Sequence, residues 1–278
     1  MSYSPQLPVG TTPRSRIRPL SLLALGGLLA IALVLTWMPE LDDYANDYLD
    51  ASIADAGVIY ASARGLNAVI SVIQSIEISI SLGAGVAVNL GEVLDPLNDM
   101  IERFSAFVLT GLVGLGLQKM VLVLSSSVFT KGLTTVVLVA SWLVWFFRGA
   151  LPGVLKKCLW LMVLVRFAFA IEVGLCWVLD QAYFNTHQQE ALSTLDIAQK
   201  SLESIREEYL GAVQDRGVFR GAWSAARSFI GNAGQESLTH MTMGALVQLL
   251  VIVLVRSILL PVLFFWTLLA VFRRYLLD

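Results

Sequence analysis

Three charged residues fall inside long apolar runs of this 278-residue chain. Arg166 and Glu172 lie in the run Cys158 to Leu179, and Arg256 lies in the run from about Ala245 to Phe272. A charge at the centre of a membrane-spanning helix costs about 2.5–3.5 kcal/mol on insertion scales, so each is a candidate for function. Arg166 and Glu172 are six residues apart, which is about 240° around a helix, so they do not face each other on their own helix. The two runs should cross in opposite directions, which places Glu172 and Arg256 at similar depth. The sequence therefore predicts that these two face each other across a helix–helix contact. Pro261, just beyond one turn from Arg256, should kink that helix and free a backbone carbonyl. Such a pair could hold a proton, an ion or an anionic substrate, or act as a structural ion pair that fixes helix register. Arg166 belongs to the same intramembrane set, although it and Lys119 could instead carry their charged heads to an interface.

Other chemistry is thinly supplied. His187 and Glu190 are three apart, which is too few ligands for a metal site. His240 follows Ser237 and Thr239 without a nucleophile elbow. Cys158 and Cys176 are about 27 Å apart along one helix, far beyond the roughly 7 Å between Cα atoms that a disulfide bridges. The GLVGLG stretch at 111–116 lacks the strand-then-helix context of a dinucleotide fingerprint. Its glycines, like Gly26 and Ala30, suit close helix packing. The expectation is a chain with no catalytic residues, no metal ligands and no cofactor.

The elements that position these residues must lie in lipid. The chain is 56% hydrophobic and 14% charged, with a mean hydropathy of +0.73, against about 45–50% and about 25% for soluble domains. A net charge of −2 excludes a generally basic nucleic-acid binder. The class is an all-α integral membrane protein with about four transmembrane helices.

The predicted spans are 20–38, 129–147, 158–179 and 245–272. Arg14, Arg16 and Arg18 precede the first and a run of acids follows it, so residues 1–19 form a cytoplasmic tail. The apolar run is longer than a signal-peptide core and lacks an A-x-A-like site, which favours an uncleaved anchor. Arg148, Lys156 and Lys157 make 148–157 a cytoplasmic loop, and Arg273 and Arg274 mark a cytoplasmic tail at 273–278. Parity then leaves residues 104–124 outside, as an interfacial or re-entrant helix spanning 96–124. Recruiting 68–90 as a further span would restore parity with 104–124 inside, at the cost of burying Gln74, Glu77 and Asn89. Two mostly helical extracytoplasmic insertions remain, at 39–128 and 180–244. Neither has an N-glycosylation acceptor, which favours a bacterial inner membrane with both termini cytoplasmic.

Within the insertions, Leu49, Ile53, Val58, Leu66, Ile70 and Ile73 recur at mostly helical spacing. Leu195, Ala198, Leu202, Ile205, Tyr209 and Ala212 alternate three and four apart in a heptad-like stripe. That stripe packs on a neighbouring helix of the chain or docks another protein. Alternation over 76–90, broken at Gly83-Ala84-Gly85, predicts a small β-hairpin. Asp95-Pro96 reads as a helix start, with Leu97, Ile101, Phe104 and Val108 on one apolar face. An amphipathic helix over 216–230 places Arg216, Arg220 and Arg227 beside Phe219 and Trp223. It suits either lipid headgroup contact, by Arg216, Arg220, Trp223 and Arg227, or ordinary packing.

These features predict a non-enzymatic inner-membrane scaffold or accessory subunit. Its partners would be the bilayer and either further copies of itself or another membrane or periplasmic protein, and no nucleic acid. The alternatives are an ion or small-molecule transporter using Glu172 and Arg256, and a membrane enzyme acting on lipid or envelope precursors with His187, His240 or Glu172 as base.

Overall fold

The structure is a computed structural model that describes residues 19–80, 90–148, 150–216 and 235–276. Every element among them is helical: α1 (Pro19–Trp37), α2 (Pro39–Ile80), α3 (Leu90–Ser126), α4 (Val128–Arg148), α5 (Gly153–Leu179), α6 (Asn185–Arg216), α7 (Gln235–Leu254) and α8 (Leu260–Leu276). A π-helical turn at Asp180–Phe184 joins α5 to α6, and another at Val255–Leu259 joins α7 to α8, so each pair is one continuous helical path. Five helices are long and apolar enough to cross a membrane: α2, α3, α4, the α5–α6 path and the α7–α8 path. Gly26–Trp37 of α1 adds a shorter apolar helix. The chain thus has the makeup of an integral membrane protein.

Two expectations change. Residues 76–80 of the predicted hairpin belong to α2, because Ile76, Ile78 and Ile80 in alternation on a pre-formed helix extend it as readily as they start a strand. Residues 81–89 lie outside the described residues. Helix α3 begins at Leu90 rather than Asp95, with Pro96 inside its first turns. Through residues 104–124, α3 runs unbroken to Ser126.

The chain divides into two compact units. The first comprises residues up to Pro39 together with Ser127–Arg166. Here α1 packs on α4. Ser127 caps α4, its hydroxyl accepting from the Thr130 amide at 3.3 Å. Trp37 Nε1 donates to Thr135 Oγ1 at 2.9 Å, and Gly26 lets α1 close against the Trp142 indole. Thr134, Leu138 and Ser141 form the buried stripe of α4.

The second unit comprises Glu40–Ser126 and Phe167–Asp278. Its organising feature is a period of seven. The buried seam of α2 runs through Asp42, Ala45, Leu49, Ser52, Ala56, Ile59, Ala63, Leu66, Ile70 and Ile73, with Val69 buried beside it. That of α3 runs through Leu94, Leu97, Ile101, Phe104, Val108, Gly111, Leu115, Gln118, Leu122 and Ser125, with Ser105 buried beside it. Both alternate three and four apart, the seam of knobs-into-holes packing. The two helices run antiparallel, as the contacts Gln74–Asp95 (2.7 Å) and Asp50–Lys119 show. Their upper halves join Ala191, Leu195, Ala198 and Leu202 of α6 and Ala245, Leu246, Leu249 and Val253 of α7 in one four-helix core. Their lower halves close on Val173 and Phe169 of α5.

The π turn in the α5–α6 path has a clear role. Val173, Asp180, Gln188, Leu195 and Leu202 are all buried, and their spacing is seven except for the step across the turn. A π turn takes up one extra residue, so the seam of α5 continues in register along α6.

Candidate functional site

The second unit holds a buried charged cluster built from both π turns. Arg256, in the α7–α8 turn, donates through Nη2 and Nε to Asp180 Oδ1 at 2.8 and 3.0 Å. Asp180 opens the α5–α6 turn. Its other oxygen accepts from the Tyr48 hydroxyl of α2 at 2.6 Å. Arg256 Nη1 lies 3.5 Å from Asp55 Oδ2, and Gln188 Nε2 donates to that same oxygen at 3.2 Å. The Arg256 and Asp180 side chains are 6% and 7% exposed, and Asp55 is 46% exposed. The cluster therefore opens at Asp55 and closes inward at Asp180.

Two small residues and a proline build the Arg256 side. A Cβ on Gly111 would meet Val253 Cγ1 at 2.6 Å and Ser257 Oγ at 2.9 Å, and one on Gly114 would meet the Ser257 carbonyl at 3.0 Å. These glycines bring α3 against the α7–α8 turn, which is the packing role expected of GLVGLG. Gly116 has open space around it and takes no part. Pro261 has no N–H to close a turn on the Ser257 carbonyl four residues back. Gln118 Nε2 of α3 donates to that carbonyl instead, at 2.8 Å. The carbonyl freed by proline thus has a dedicated side-chain partner.

Glu172 does not face Arg256. It is 1% exposed, and its Oε1 accepts from Cys176 Sγ at 3.2 Å, while its Oε2 has no hydrogen-bond partner among the described residues. The correction has a simple cause. Asp180 lies eight residues further along the same path, and its π turn directs it at Arg256. Depth alone ranked Glu172 first because the apolar run ends at Leu179, just before the true partner.

The remaining candidates fall elsewhere. Arg166 is fully buried in the first unit, so it does not reach for an interface. Its Nη2 donates to the Thr36 carbonyl at 3.0 Å, in the last turn of α1, where exposed carbonyls and the helix dipole favour a cation. Lys119 pairs with Asp50. His187 and Glu190 pair at 3.3 Å, His240 is exposed, and Cys158 and Cys176 are free thiols, exposed and buried respectively. Among the described residues no group of three His, Cys, Asp or Glu could hold a metal ion. Arg216 ends α6, and Arg220, Trp223 and Arg227 lie outside the described residues.

Sequence reasoning missed Tyr48, Asp55, Asp180 and Gln188. One signal was available: Glu172, Cys176 and Asp180 recur every four residues, so they share a face of α5.

No known protein family matches the chain, and no curated protein or solved structure is significantly similar to it.

Proposed function

We propose that the protein is a non-enzymatic, multi-pass membrane scaffold or accessory subunit that works by associating with other polypeptides. The carrying observation is the mismatch between the outer faces of α2 and α3. On α3 the outer face is polar at Asp99, Glu102 and Arg103. From Phe107 it turns apolar, with Val113, Leu117, Met120, Val123 and Leu124 all exposed. A helix apolar all round belongs in lipid. Lys119 pairs with Asp50, so the antiparallel α2 sets exposed Asp43, Asp47 and Asp50 beside that apolar stretch. Carboxylates are not stable against hydrocarbon, so this side of α2 calls for a polar cover, a second copy or another membrane protein.

In this reading the ends of α2, α3, α6 and α7 that carry exposed Asp99, Arg103, Asp196 and Lys200 stand in water as a four-helix head. The basic segments 148–157 and 273–274 then stay cytoplasmic with both termini, and the head is extracytoplasmic, in the setting of a bacterial inner membrane.

Gentle extraction followed by intact-complex mass determination tests the proposal. A homo-oligomer or a stoichiometric foreign subunit is expected, and replacing Asp43 and Asp47 by lysine should dissociate it. A monomer with nothing bound across a range of salt and detergent overturns it.

A further inference from the structure

Glu172 is the strongest unused chemistry in the molecule. Its side chain is shut off from solvent, one oxygen accepts from the Cys176 thiol, and the other has no hydrogen-bond partner among the described residues. An ionised carboxylate in such a place lacks both water and a countercharge, and a buried charge without either is strongly disfavoured.

The charged and titratable groups around it are committed elsewhere. Arg256 directs Nη2 and Nε to Asp180 and Nη1 toward Asp55. Tyr48 of α2 donates to Asp180. Lys119 of α3 goes to Asp50 of α2. Asp42 of α2 is a further buried acid and brings no positive charge. Helix α8 brings Phe265, packed on Phe169 in a tilted arrangement with ring centroids 4.7 Å apart. The packed apolar neighbours of this region are Leu49, Leu115, Leu122 and Val173.

One cation suits a single carboxylate in a dry apolar pocket. A metal ion needs several oxygen ligands, and among the described residues the one hydrogen-bond partner of Glu172 is a sulfur. A proton needs one oxygen. Along the same helical path, Cys176 and Asp180 follow at four-residue steps, both buried. Asp180 in turn joins, through Arg256, the half-exposed Asp55. Glu172, Cys176 and Asp180 thus form a polar row along one helical path, whose outer member is tied through Arg256 to the half-exposed Asp55.

We propose that Glu172 is a proton-binding site, served from the Asp55 opening along the row of Asp180 and Cys176, with Arg256, a permanent cation, holding that row in place and carrying no proton itself. Uptake converts the carboxylate to a neutral carboxylic acid with no other bond made or broken. Because it concerns a site internal to one chain, the proposal is independent of the scaffold reading.

Infrared spectroscopy of the wild-type protein in lipid vesicles tests it. At about pH 7 a protonated-carboxyl C=O band should be present, should shift in heavy water, and should disappear in Glu172→Gln. Glu172→Asp, which keeps the acid should the glutamine variant not fold, should move the band without removing it. Cys176→Ala should slow deuterium exchange of the band at least tenfold. A wild-type spectrum without a protonated-carboxyl band overturns the site, as does a band that both Glu172 variants leave unchanged. Exchange as fast in Cys176→Ala as in wild type overturns the route.

Discussion

Asp180 and Arg256 meet at 2.8 Å with each side chain set on a π-helical turn. A π turn widens the helix by one residue and is retained at a cost to hydrogen-bond geometry, most often where a side chain must be aimed. Here both turns serve the same contact. That of Asp180 also keeps the seam of α5 in register with that of α6, so the polar contact and the apolar packing depend on one local feature.

Removing Arg256 should therefore be the most damaging change in the cluster. Arg256→Met leaves Asp180 and Asp55 without their cation, and breaking a buried pair by deleting one partner costs about 3–5 kcal/mol. Asp180→Asn should cost less, because Asp55 still faces the guanidinium. Asp55→Asn, at the open end, should stay near the 0–1 kcal/mol of an exposed pair. Unfolding titrations in mixed micelles check this order, and an Asp55 effect as large as that of Arg256 would contradict it.

The seam of α3 predicts a contrast among three glycines on one helix. Gly111→Ala places a methyl 2.6 Å from Val253 Cγ1, an overpacking expected to cost about 1–3 kcal/mol. Gly114→Ala meets backbone, the Ser257 carbonyl at 3.0 Å, and should be similar. Gly116→Ala meets nothing within 4 Å and should be neutral or stabilising by up to about 1 kcal/mol, through helix propensity. Equal losses at all three positions would show that α3 does not pack on α7 as described.

The first unit gives an independent prediction. Arg166 caps the end of α1 through the Thr36 carbonyl, and Lys cannot reproduce the fork of donors that a guanidinium offers. Arg166→Lys should lower stability by about 1–3 kcal/mol, the scale of a buried acceptor losing its charged donor. Because Thr36 also bonds back to the Ala32 carbonyl, the loss should show as fraying of α1 by hydrogen exchange at residues 33–37. Unchanged protection there would remove the capping role.

Much of the helical framework was legible in the sequence, and the failures have physical causes. Leu97, Ile101, Phe104 and Val108 could be read as one face because large apolar residues mark it, and all four are buried. The same seam became invisible at Gly111 and Gln118, because glycine and glutamine carry no apolar signal although both face the α7–α8 turn. On α2 the seam runs through Ala45, Ser52, Ala56 and Ala63, small residues that let helices approach closely but hardly register in hydropathy. Val58, by contrast, falls among the apolar residues at helical spacing and is 55% exposed. The charged cluster was only half legible. Arg256 stood out within its apolar run, but Asp180, just past the end of another, looked like an ordinary boundary residue. A π turn has no sequence signature by which its aim could be foreseen.

Gln118 and Pro261 provide the sharpest test of the packing at the α7–α8 turn. Proline withholds the N–H that would serve the Ser257 carbonyl, and Gln118 supplies one from α3 at 2.8 Å. Gln118→Leu keeps the side-chain bulk and leaves the carbonyl buried without a donor, at a cost of about 1–3 kcal/mol. Pro261→Ala restores a backbone N–H to the same turn. In that background Gln118→Leu should cost markedly less, because the carbonyl regains an intrahelical partner. The four proteins form a double-mutant cycle, read by unfolding in mixed micelles, with an expected coupling of about 0.5–3 kcal/mol. Strict additivity would mean that Gln118 contributes by filling space alone, and that the carbonyl released by Pro261 is satisfied in some other way.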